Sequence, residues 1–463
     1  MILVLGSVFF SLHVFAHTAT EDSTLFRVQV IEITGNNKTK DYIILNELSF
    51  SDTGKYNKEQ LQEEFKKSKD NLMRTPLFHS VSFHARYDSA AVYVVIEVSE
   101  RWYLWPEVVL TYADQNFSNW IKNRVFLRSN FGLGLMKFNF RGRNEKISFF
   151  AMGGYDRLFM TEYTDIKLDP KGRHGLSIYL RTTQRKETPA YVINDTLLYY
   201  KTDTDFALRE YSSFINYSYR PKLSLRHHVR MGFRSRQISD SLSELNPDYL
   251  PGNTNKMQYA YLRYSFEYDT RDSRAYAESG NLISLSAEKT GLHIFSGSEA
   301  SSVSARLRYS NFTSLRKNIT LQSHISLKTS FGSQQAFFLN NALGSNNHLS
   351  GYEYYTAHGS SYIFLQHRLS AKLLDTKIHL KFIPLEQFNT IPAQIYFQLH
   401  FGYGKVRNVN TSYLQNNRLV NEHLYSAGIG LNFVSYYDKL MRLEYSINHL
   451  KEHGLFIHFG MPF

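Results

Sequence analysis

The strongest constraint on the fold is a two-residue period that recurs through most of the chain. In the segment SSVSARLRYSNF at 301–312, Val303 and Leu307 share one side while Arg306 and Arg308 share the other. Successive side chains of a β-strand point to opposite faces, so the pattern predicts a strand with one apolar and one charged face. A soluble sandwich also alternates, but it is ordinarily shorter than this chain. Apolar outside and polar inside is the pattern of a transmembrane barrel.

Counting such segments predicts sixteen strands, an even number, as single-chain bacterial barrels have. We place them near 104–112, 131–141, 145–155, 159–168, 173–183, 207–219, 225–237, 258–269, 280–290, 301–312, 317–329, 361–373, 393–404, 423–434, 439–449 and 454–463. Five long connections fall on one side of the predicted barrel: 113–130, 184–206, 238–257, 330–360 and 405–422. The other side has brief turns, as barrels do at their periplasmic end, apart from one long connection at 374–392.

The last ten residues, GLFIHFGMPF, are the most hydrophobic alternating stretch, with Leu455, Ile457, Phe459 and Phe463 at alternate positions. Chain ends are usually frayed and polar. We therefore expect a final strand that faces lipid and whose edge is removed when the barrel closes.

The amino terminus and the composition narrow the compartment. The stretch MILVLGSVFFSLHVFA predicts a secretory signal peptide over 1–16, although a buried strand is the alternative. The chain has no apolar run of about 18 residues that would form a transmembrane helix, and it has no cysteine. The net charge of +12 favours anionic lipid or lipopolysaccharide over nucleic acid for a secreted chain, or else a dispersed, solvated excess.

No catalytic pattern is present, so we expect no enzyme, no cofactor and no metal. The sequence has neither a phosphate-binding loop nor a nucleophile elbow. His227 and His228 point to opposite faces of a strand, which is poor geometry for a metal. Asp269 and Asp272 are better explained as turn residues than as an acid–base pair.

Residues 24–101 differ from the rest and predict a small β-α-α-β-β domain. Thr39 is a candidate cap for a first helix, and Asn57 with Gln60 forms a capping box for a second. The segments ITGNNKT, DYIILNEL, LFHSVSF and VYVVIEVSER resemble a POTRA domain, the periplasmic module of BamA/TamA-type outer-membrane insertases; a generic α+β domain is the alternative.

An open sheet edge in such a domain accepts an extended chain through main-chain hydrogen bonds. We place this client edge at the strand that carries Phe78, Val81 and Phe83.

Residues 102–463 resemble the barrel of the same superfamily. The matching segments are NFGLGLMKFNFRGRNEKISF and YDTRDSRAYAESGNLISLSAEKTG, and loop 330–360 occupies the position of the family's lumen-inserted loop. The loop motif there corresponds to Leu349, Ser350, Gly351, Tyr352 and Glu353, with Ser350 at the position of the family's arginine.

The resemblance implies that this arginine pairs with an acidic residue on the thirteenth strand. That position, in the stretch Phe401, Gly402, Tyr403, Gly404, is taken by Gly402. Losing both partners together avoids a stranded charge, which would cost about 3–5 kcal/mol. We expect packing of Tyr352 and hydrogen bonds of Glu353 to hold the loop instead; a misaligned loop is the alternative.

The seam between the first and last strands corresponds to the family's lateral gate. We assign its last-strand side to Gly454, Leu455, Ile457, Phe459, Gly460, Pro462 and Phe463. Pro462 has no N–H for the ladder and Gly460 packs nothing, so the seam is expected to pair weakly. Ordinary fraying of the terminus is the alternative.

The sequence thus predicts a mainly β protein: a signal peptide (1–16), a POTRA domain (24–101) in the periplasm and a sixteen-stranded outer-membrane barrel (102–463). The leading hypothesis is an insertase for outer-membrane proteins. A translocation pore for one dedicated soluble partner and a passive porin or structural barrel are the alternatives. The expected partners are unfolded outer-membrane or secreted clients, the bilayer, lipopolysaccharide and accessory assembly proteins, with no nucleic acid.

Overall fold

The structure is a computed structural model that describes residues 24–112, 129–250, 252, 254–273, 276–292, 294, 301–332, 337–344, 349–380, 390–408, 414–435 and 439–460. The predicted signal peptide at 1–16, Pro462 and Phe463 therefore lie outside the described residues. Among the described residues, no helix is long and apolar enough to cross a membrane.

The amino-terminal domain consists of a four-stranded sheet and two helices. Its elements are β1 (Phe26–Thr34), α1 (Asp41–Leu45), β2 (Lys55–Tyr56), α2 (Lys58–Met73), β3 (Phe78–Asp88) and β4 (Ala91–Glu100). The sheet order is β2-β1-β4-β3, and β1 runs parallel to β4. The predicted order therefore holds, with β2 as an addition. Leu61 and Leu72 of α2 pack on the sheet within a core that also buries Val92 and Ile96.

The two helices begin differently from one another. Asn57 and Gln60 form the predicted capping box at the start of α2. The prediction that Thr39 caps α1 is wrong: Lys40 precedes this helix without a side-chain cap. Thr39 is buried instead, and its backbone N–H donates to the Glu100 carboxylate at 2.6 Å.

The remaining chain forms one antiparallel sheet of sixteen strands. They are β5 (Leu104–Tyr112), β6 (Ser129–Phe140), β7 (Glu145–Gly154), β8 (Arg157–Lys167), β9 (His174–Arg185), β12 (Leu208–Lys222), β13 (Leu225–Ile238), β14 (Lys256–Asp269), β15 (Gly280–Thr290), β16 (Ser302–Arg316), β17 (Ile319–Gly332), β20 (Ser361–His379), β21 (Thr390–Arg407), β23 (His423–Val434), β24 (Leu440–Asn448) and β25 (His453–Gly460). The sheet curls into a barrel, since Tyr276 reaches across its interior to Ser370 of β20 and Asn432 of β23.

Short elements lie between these strands. They are β10 (Glu187–Ile193), β11 (Thr196–Lys201), α3 (Asp240–Leu245), a 3-10 turn (Phe337–Leu339), β18 (Asn341–Leu343), β19 (Ala357–His358) and β22 (Leu414–Gln415). The strands β10, β11 and β22 make a separate three-stranded sheet. All of these elements belong to the long connections, so we call their side the long-loop end and the opposite side the short-turn end.

Part of the predicted long connection at 374–392 on the short-turn side is strand, because β20 runs on to His379 and β21 begins at Thr390. The pairing of β20 with β21 continues from Leu374 opposite Ile395 to His379 opposite Thr390. The two strands thus extend further than the sequence indicated, because the polar and charged residues there weaken the apolar alternation without ending the backbone pairing.

The outer face of the barrel is apolar. Its most exposed apolar side chains include Val108, Leu110, Phe131, Leu133, Ile215, Met231, Leu455, Ile457 and Phe459. Phe459 is 80% exposed, and an apolar surface of this kind would promote aggregation in water. The alternation predicted from the sequence therefore has its apolar side outward, as a bilayer requires.

The first and last strands stand at the two ends of the sheet order. Over the described residues of β5 and β25, no ladder joins them. The expectation that closure removes the edge of the last strand is therefore not met there. β25 has only eight residues, and Pro106 in β5 contributes no N–H, so both edges are poor partners.

Candidate functional site: lumen loop, seam and domain junction

The loop between β17 and β20 enters the barrel and is packed there. Its residues Leu343, Leu349, Tyr352 and Ala357 belong to a buried apolar cluster with side chains from the barrel wall and the long-loop end. The sequence placed this loop in the lumen by resemblance, and the packing shows that its motif is held against the wall.

Leu349 fits a slot made by two wall glycines. A Cβ atom added at Gly402 would lie 2.8 Å from Leu349 Cδ1, and one added at Gly404 would lie 3.1 Å from Leu349 Cδ2. Phe401 lies between two residues that point inward. Its own side chain points outward and is half exposed. Absence of side chains at Gly402 and Gly404 is therefore what lets the loop approach β21.

Ser350 does not face Gly402, as the alignment of the lost arginine–acid pair implied. Its hydroxyl donates to Glu444 Oε2 on β24 at 3.4 Å, in a buried position. Gly402 instead meets Leu349, the residue that precedes Ser350. An acid on the wall is thus present, on a different strand from the one expected.

Gly351 is fixed at the turn of the motif with a positive φ of 85°. A Cβ atom there would lie 3.3 Å from Ser426 Cβ and 3.4 Å from Ser446 Cβ. Asn448 Nδ2 donates to the Gly351 carbonyl at 2.9 Å. Both backbone conformation and close approach therefore require glycine here.

Tyr352 anchors the loop near the long-loop end. Its buried hydroxyl donates to the Tyr425 carbonyl at 3.0 Å, so the His449 Nδ1 at 2.6 Å donates to the hydroxyl oxygen. Burial raises the pKa of Tyr352 to about 12, which keeps the hydroxyl protonated and able to donate. The geometry agrees with the predicted packing of Tyr352.

Glu353 is held differently from the prediction. Among the described residues, neither of its buried carboxylate oxygens accepts a hydrogen bond. Its Oε1 lies 3.5 Å from His458 Nε2 on the last strand, and that nitrogen lies 3.4 Å from Glu444 Oε2. The sequence reasoning missed His458 and Glu444. The signal available was His458 as the one ionisable residue on the inward side of the last strand.

The other residues assigned to the seam divide by face. Leu455, Ile457 and Phe459 point outward, while Phe456 is buried and packs against Tyr354 of the loop. Gly454 and Gly460 lie within β25 and pair with Ser446 and Leu440 of β24. The last strand is therefore bonded on its β24 side and touched from inside by the loop.

The predicted client edge of the amino-terminal domain is an edge strand. β3 pairs only with β4 among the described residues. Phe78 and Val81 are buried and Phe83 packs on the same core, so these side chains hold the strand and leave its outer main chain for a partner. Any recognition there would use backbone groups.

A junction ties the amino-terminal domain to the short-turn end. Arg220, at the end of β12, forms a bidentate contact with Glu47, with Nη2 donating to Oε2 at 2.8 Å. Asn139 of β6 donates to the Thr39 hydroxyl at 2.8 Å, and Arg74 donates to the Asp269 carbonyl at 3.0 Å. The sequence did not reveal this junction, because its residues are far apart in the chain.

The loops of the long-loop end tie down the lumen loop from the other side. Asp195, whose side chain is fully buried, accepts hydrogen bonds from the Arg418 backbone at 3.1 Å, and its carbonyl accepts from the Thr356 N–H at 2.7 Å. Burial raises the pKa of Asp195 in spite of the Arg418 guanidinium. The lumen loop is thus held at the wall and at the cap.

The inner wall carries an excess of basic side chains. The arginines on inward positions include Arg181, Arg230, Arg234, Arg236, Arg263, Arg306, Arg308, Arg368 and Arg442. Some are paired, as Arg236 is with Glu210 and Arg263 with Glu288. Part of the positive net charge is therefore enclosed in the barrel.

Comparison with protein families and solved structures agrees with this architecture. The family profile described as the Omp85 superfamily domain matches residues 139–454, and the POTRA profile, described as surface antigen variable number repeat, matches residues 26–101. Among curated proteins, no significant match was found.

Two solved structures share the fold at low identity. BamA from Haemophilus ducreyi lacking POTRA domains 1-3 is 13% identical, with a TM-score of 0.52 over 94% of this chain and 83% of that one. CdiB from Escherichia coli is 11% identical, with a TM-score of 0.57 over 94% of this chain and 75% of that one.

Proposed function

Because the chain belongs to the Omp85 superfamily, we propose that it is an outer-membrane assembly factor that inserts unfolded client proteins into the membrane. The amino-terminal domain would lie in the periplasm and capture an extended client segment at β3. The seam between β5 and β25 would then receive client strands. The free energy would come from folding of the client, without nucleotide or cofactor.

The observation that carries the proposal is the seam between β5 and β25 in the described part of the chain. Over their described residues, β5 and β25 have no ladder with each other, so each presents an edge. An unpaired edge offers N–H and C=O groups on which another strand can add. The exposed Leu455, Ile457 and Phe459 beside it face the lipid, which is where a new barrel strand has to be placed.

The packing of the lumen favours a lateral route over an axial one. Tyr352 and Leu349 are buried in the barrel, and Asp195 of the cap holds the backbone of Thr356. Axial passage of a polypeptide would require these contacts to break. Lateral insertion at the seam leaves them in place.

The test combines cross-linking with depletion. A photo-reactive amino acid at Ile457 on β25 is compared with one at Leu285, which is likewise outward and exposed but lies on β15, far from the seam. We expect unfolded outer-membrane clients to cross-link at Ile457 and not at Leu285. Depletion should reduce many barrel proteins together. Equal cross-linking at both positions, or an unchanged outer membrane, would refute the proposal.

One observation favours a second function, a translocation pore for a dedicated secreted partner. The basic inner wall, with Arg230, Arg306 and Arg308 among its residues, suits an acidic chain in transit once the loop has moved. Loss of a single secreted protein on depletion, with barrel proteins unaffected, would select this function. A change in solute uptake alone would instead point to a passive porin.

A further inference from the structure

The contact between the lumen loop and the last strand brings three possible metal ligands together. Glu353 of the loop, Glu444 of β24 and His458 of β25 each offer one ligand atom, and these atoms all lie within 4.8 Å of one another. Glu444 has only 1% of its side chain exposed, Glu353 11% and His458 30%. The cluster is thus largely withdrawn from solvent.

The spacing of these atoms differs from that of a charge-assisted hydrogen bond. The distances from His458 Nε2 to Glu353 Oε1 and to Glu444 Oε2 are 3.5 and 3.4 Å, whereas such hydrogen bonds measure about 2.7–2.9 Å. Bonds of about 2.0–2.2 Å from a tetrahedral zinc ion to nitrogen and oxygen place neighbouring ligand atoms about 3.3–3.6 Å apart. The two distances from His458 to the carboxylates fall in this second interval.

A second observation concerns the carboxylate of Glu353. Among the described residues, neither of its buried oxygens accepts a hydrogen bond. A buried carboxylate without donors is costly, and a bound cation is one of the few ways to compensate it. His458 alone reaches only Oε1 of this group.

Side chains of the barrel wall orient the carboxylate of Glu444, as outer-shell groups orient metal-ligating carboxylates. Gln398 Nε2 donates to Glu444 Oε1 at 2.6 Å, and Arg442 Nε lies 3.5 Å from the same oxygen. Oε2 is thereby directed to His458 and to the Ser350 hydroxyl, which lies 3.4 Å away. Hydrogen bonds from an outer shell are characteristic of metal ligands.

We propose that Glu353, Glu444 and His458 bind a divalent transition-metal ion of the zinc class, with water or the Ser350 hydroxyl at the fourth position. One imidazole and two carboxylates suit such an ion, and no thiolate is available in this chain. The ion would connect the lumen loop, β24 and the last strand. The site does not depend on the proposed function, since metal binding is measured without any client.

The experiment is isothermal titration calorimetry, in which ZnCl₂ is added to the folded, untagged protein in detergent. A parallel titration with CoCl₂ reports tetrahedral geometry through visible absorption. We expect one equivalent of zinc to bind with micromolar affinity. His458→Ala and Glu353→Gln should each weaken binding by more than about 100-fold, because even outer-shell changes cost about 10–100-fold.

His453→Ala is the matched control, since His453 lies on the same strand at an exposed, outward position. Its binding should equal that of the wild type. Circular dichroism establishes that each variant is folded, and zinc should raise the melting temperature of the wild type but not of Glu353→Gln. Absence of binding in the wild type, or equal binding in Glu353→Gln, would overturn the site and leave an ion pair only.

Discussion

At the scale of single residues, the lumen motif depends on side chains that are absent. Gly351 adopts a positive φ, and Gly402 leaves the space that Leu349 fills. Neither position carries chemistry of its own. Both determine how closely the loop approaches the wall, and so where Ser350 and Glu353 are placed.

Replacing Gly351 by Ala should destabilise the loop. The backbone would be strained by about 1–2 kcal/mol at a positive φ, and the new Cβ would press on Ser426 and Ser446. Limited proteolysis of the loop should become faster. Gly153→Ala is the control, because its Cβ would meet nothing within 4 Å. Equal proteolysis of the two variants would contradict the assignment.

Replacing Gly402 by Val should displace Leu349. Overpacking of this kind costs about 1–3 kcal/mol, since the added atoms overlap Leu349 Cδ1 and Ser426 Oγ. Adding Leu349→Ala to the variant should recover part of the loss. Denaturant unfolding of the two single variants and the double variant measures the coupling. Strictly additive losses would show that the two side chains do not share the slot.

At this scale the sequence predicted the packing of one loop residue but not the partners of two others, for physical reasons. The packing of Tyr352 was foreseen because a large aromatic in a lumen motif has few places to go. The partners of Ser350 and Glu353 were not foreseen. A loop has no period, and its register on the wall depends on contacts with Glu444 and His458, about a hundred residues away in the chain.

At the scale of elements, periodicity predicted the strands well. The bounds of β15 and β23 are close to those expected, and all sixteen barrel strands are present. The ends of β20 and β21 were missed, because backbone pairing continues where the apolar side chains stop. The alternation pattern predicts strands but not which pairs of them bond. Weak pairing at the seam was expected from Gly460 and Pro462 instead, and no ladder joins β5 and β25 over their described residues.

The edge strand β3 should bind extended polypeptides through its main chain. The chain has no cysteine, so Ser80→Cys on the exposed side of β3 provides a unique attachment point for a cross-linker. We expect it to capture an unfolded client peptide. Glu59→Cys on α2, exposed but away from the edge, should not. Capture at both positions to the same extent would argue against strand addition.

At the scale of the whole molecule, polar contacts attach the amino-terminal domain to the short-turn end of the barrel. The Glu47–Arg220 contact joins residues far apart in sequence, with 8% and 20% of their side chains exposed. The contact lies at the short-turn end of the barrel, where Arg220 ends β12. The folds of the domain and of the barrel could each be predicted from local sequence patterns. Their position relative to each other depends on a few polar contacts, which no sequence pattern predicts.

Glu47→Arg should loosen this junction. A charge-assisted hydrogen bond of this kind contributes about 1.5–3 kcal/mol, and the variant adds repulsion with Arg220. Proteolysis between the domain and the barrel, near 101–104, should accelerate, and the exchange Glu47→Arg with Arg220→Glu should restore protection. Glu63→Arg, on the exposed face of α2, serves as the control and should behave as the wild type. Unchanged proteolysis of Glu47→Arg would mean that other contacts hold the domain.

The inward arginines have an electrical consequence. A duct lined with fixed positive charge admits anions more readily than cations, so a channel formed by removing the lumen loop should show anion-selective conductance in a planar lipid membrane. The intact barrel, with its loop seated, should pass little current of either sign. A molecule that passes along the axis of this duct would then be selected by its charge. A polypeptide that leaves through the side of the barrel would be selected by its ability to form β-strands.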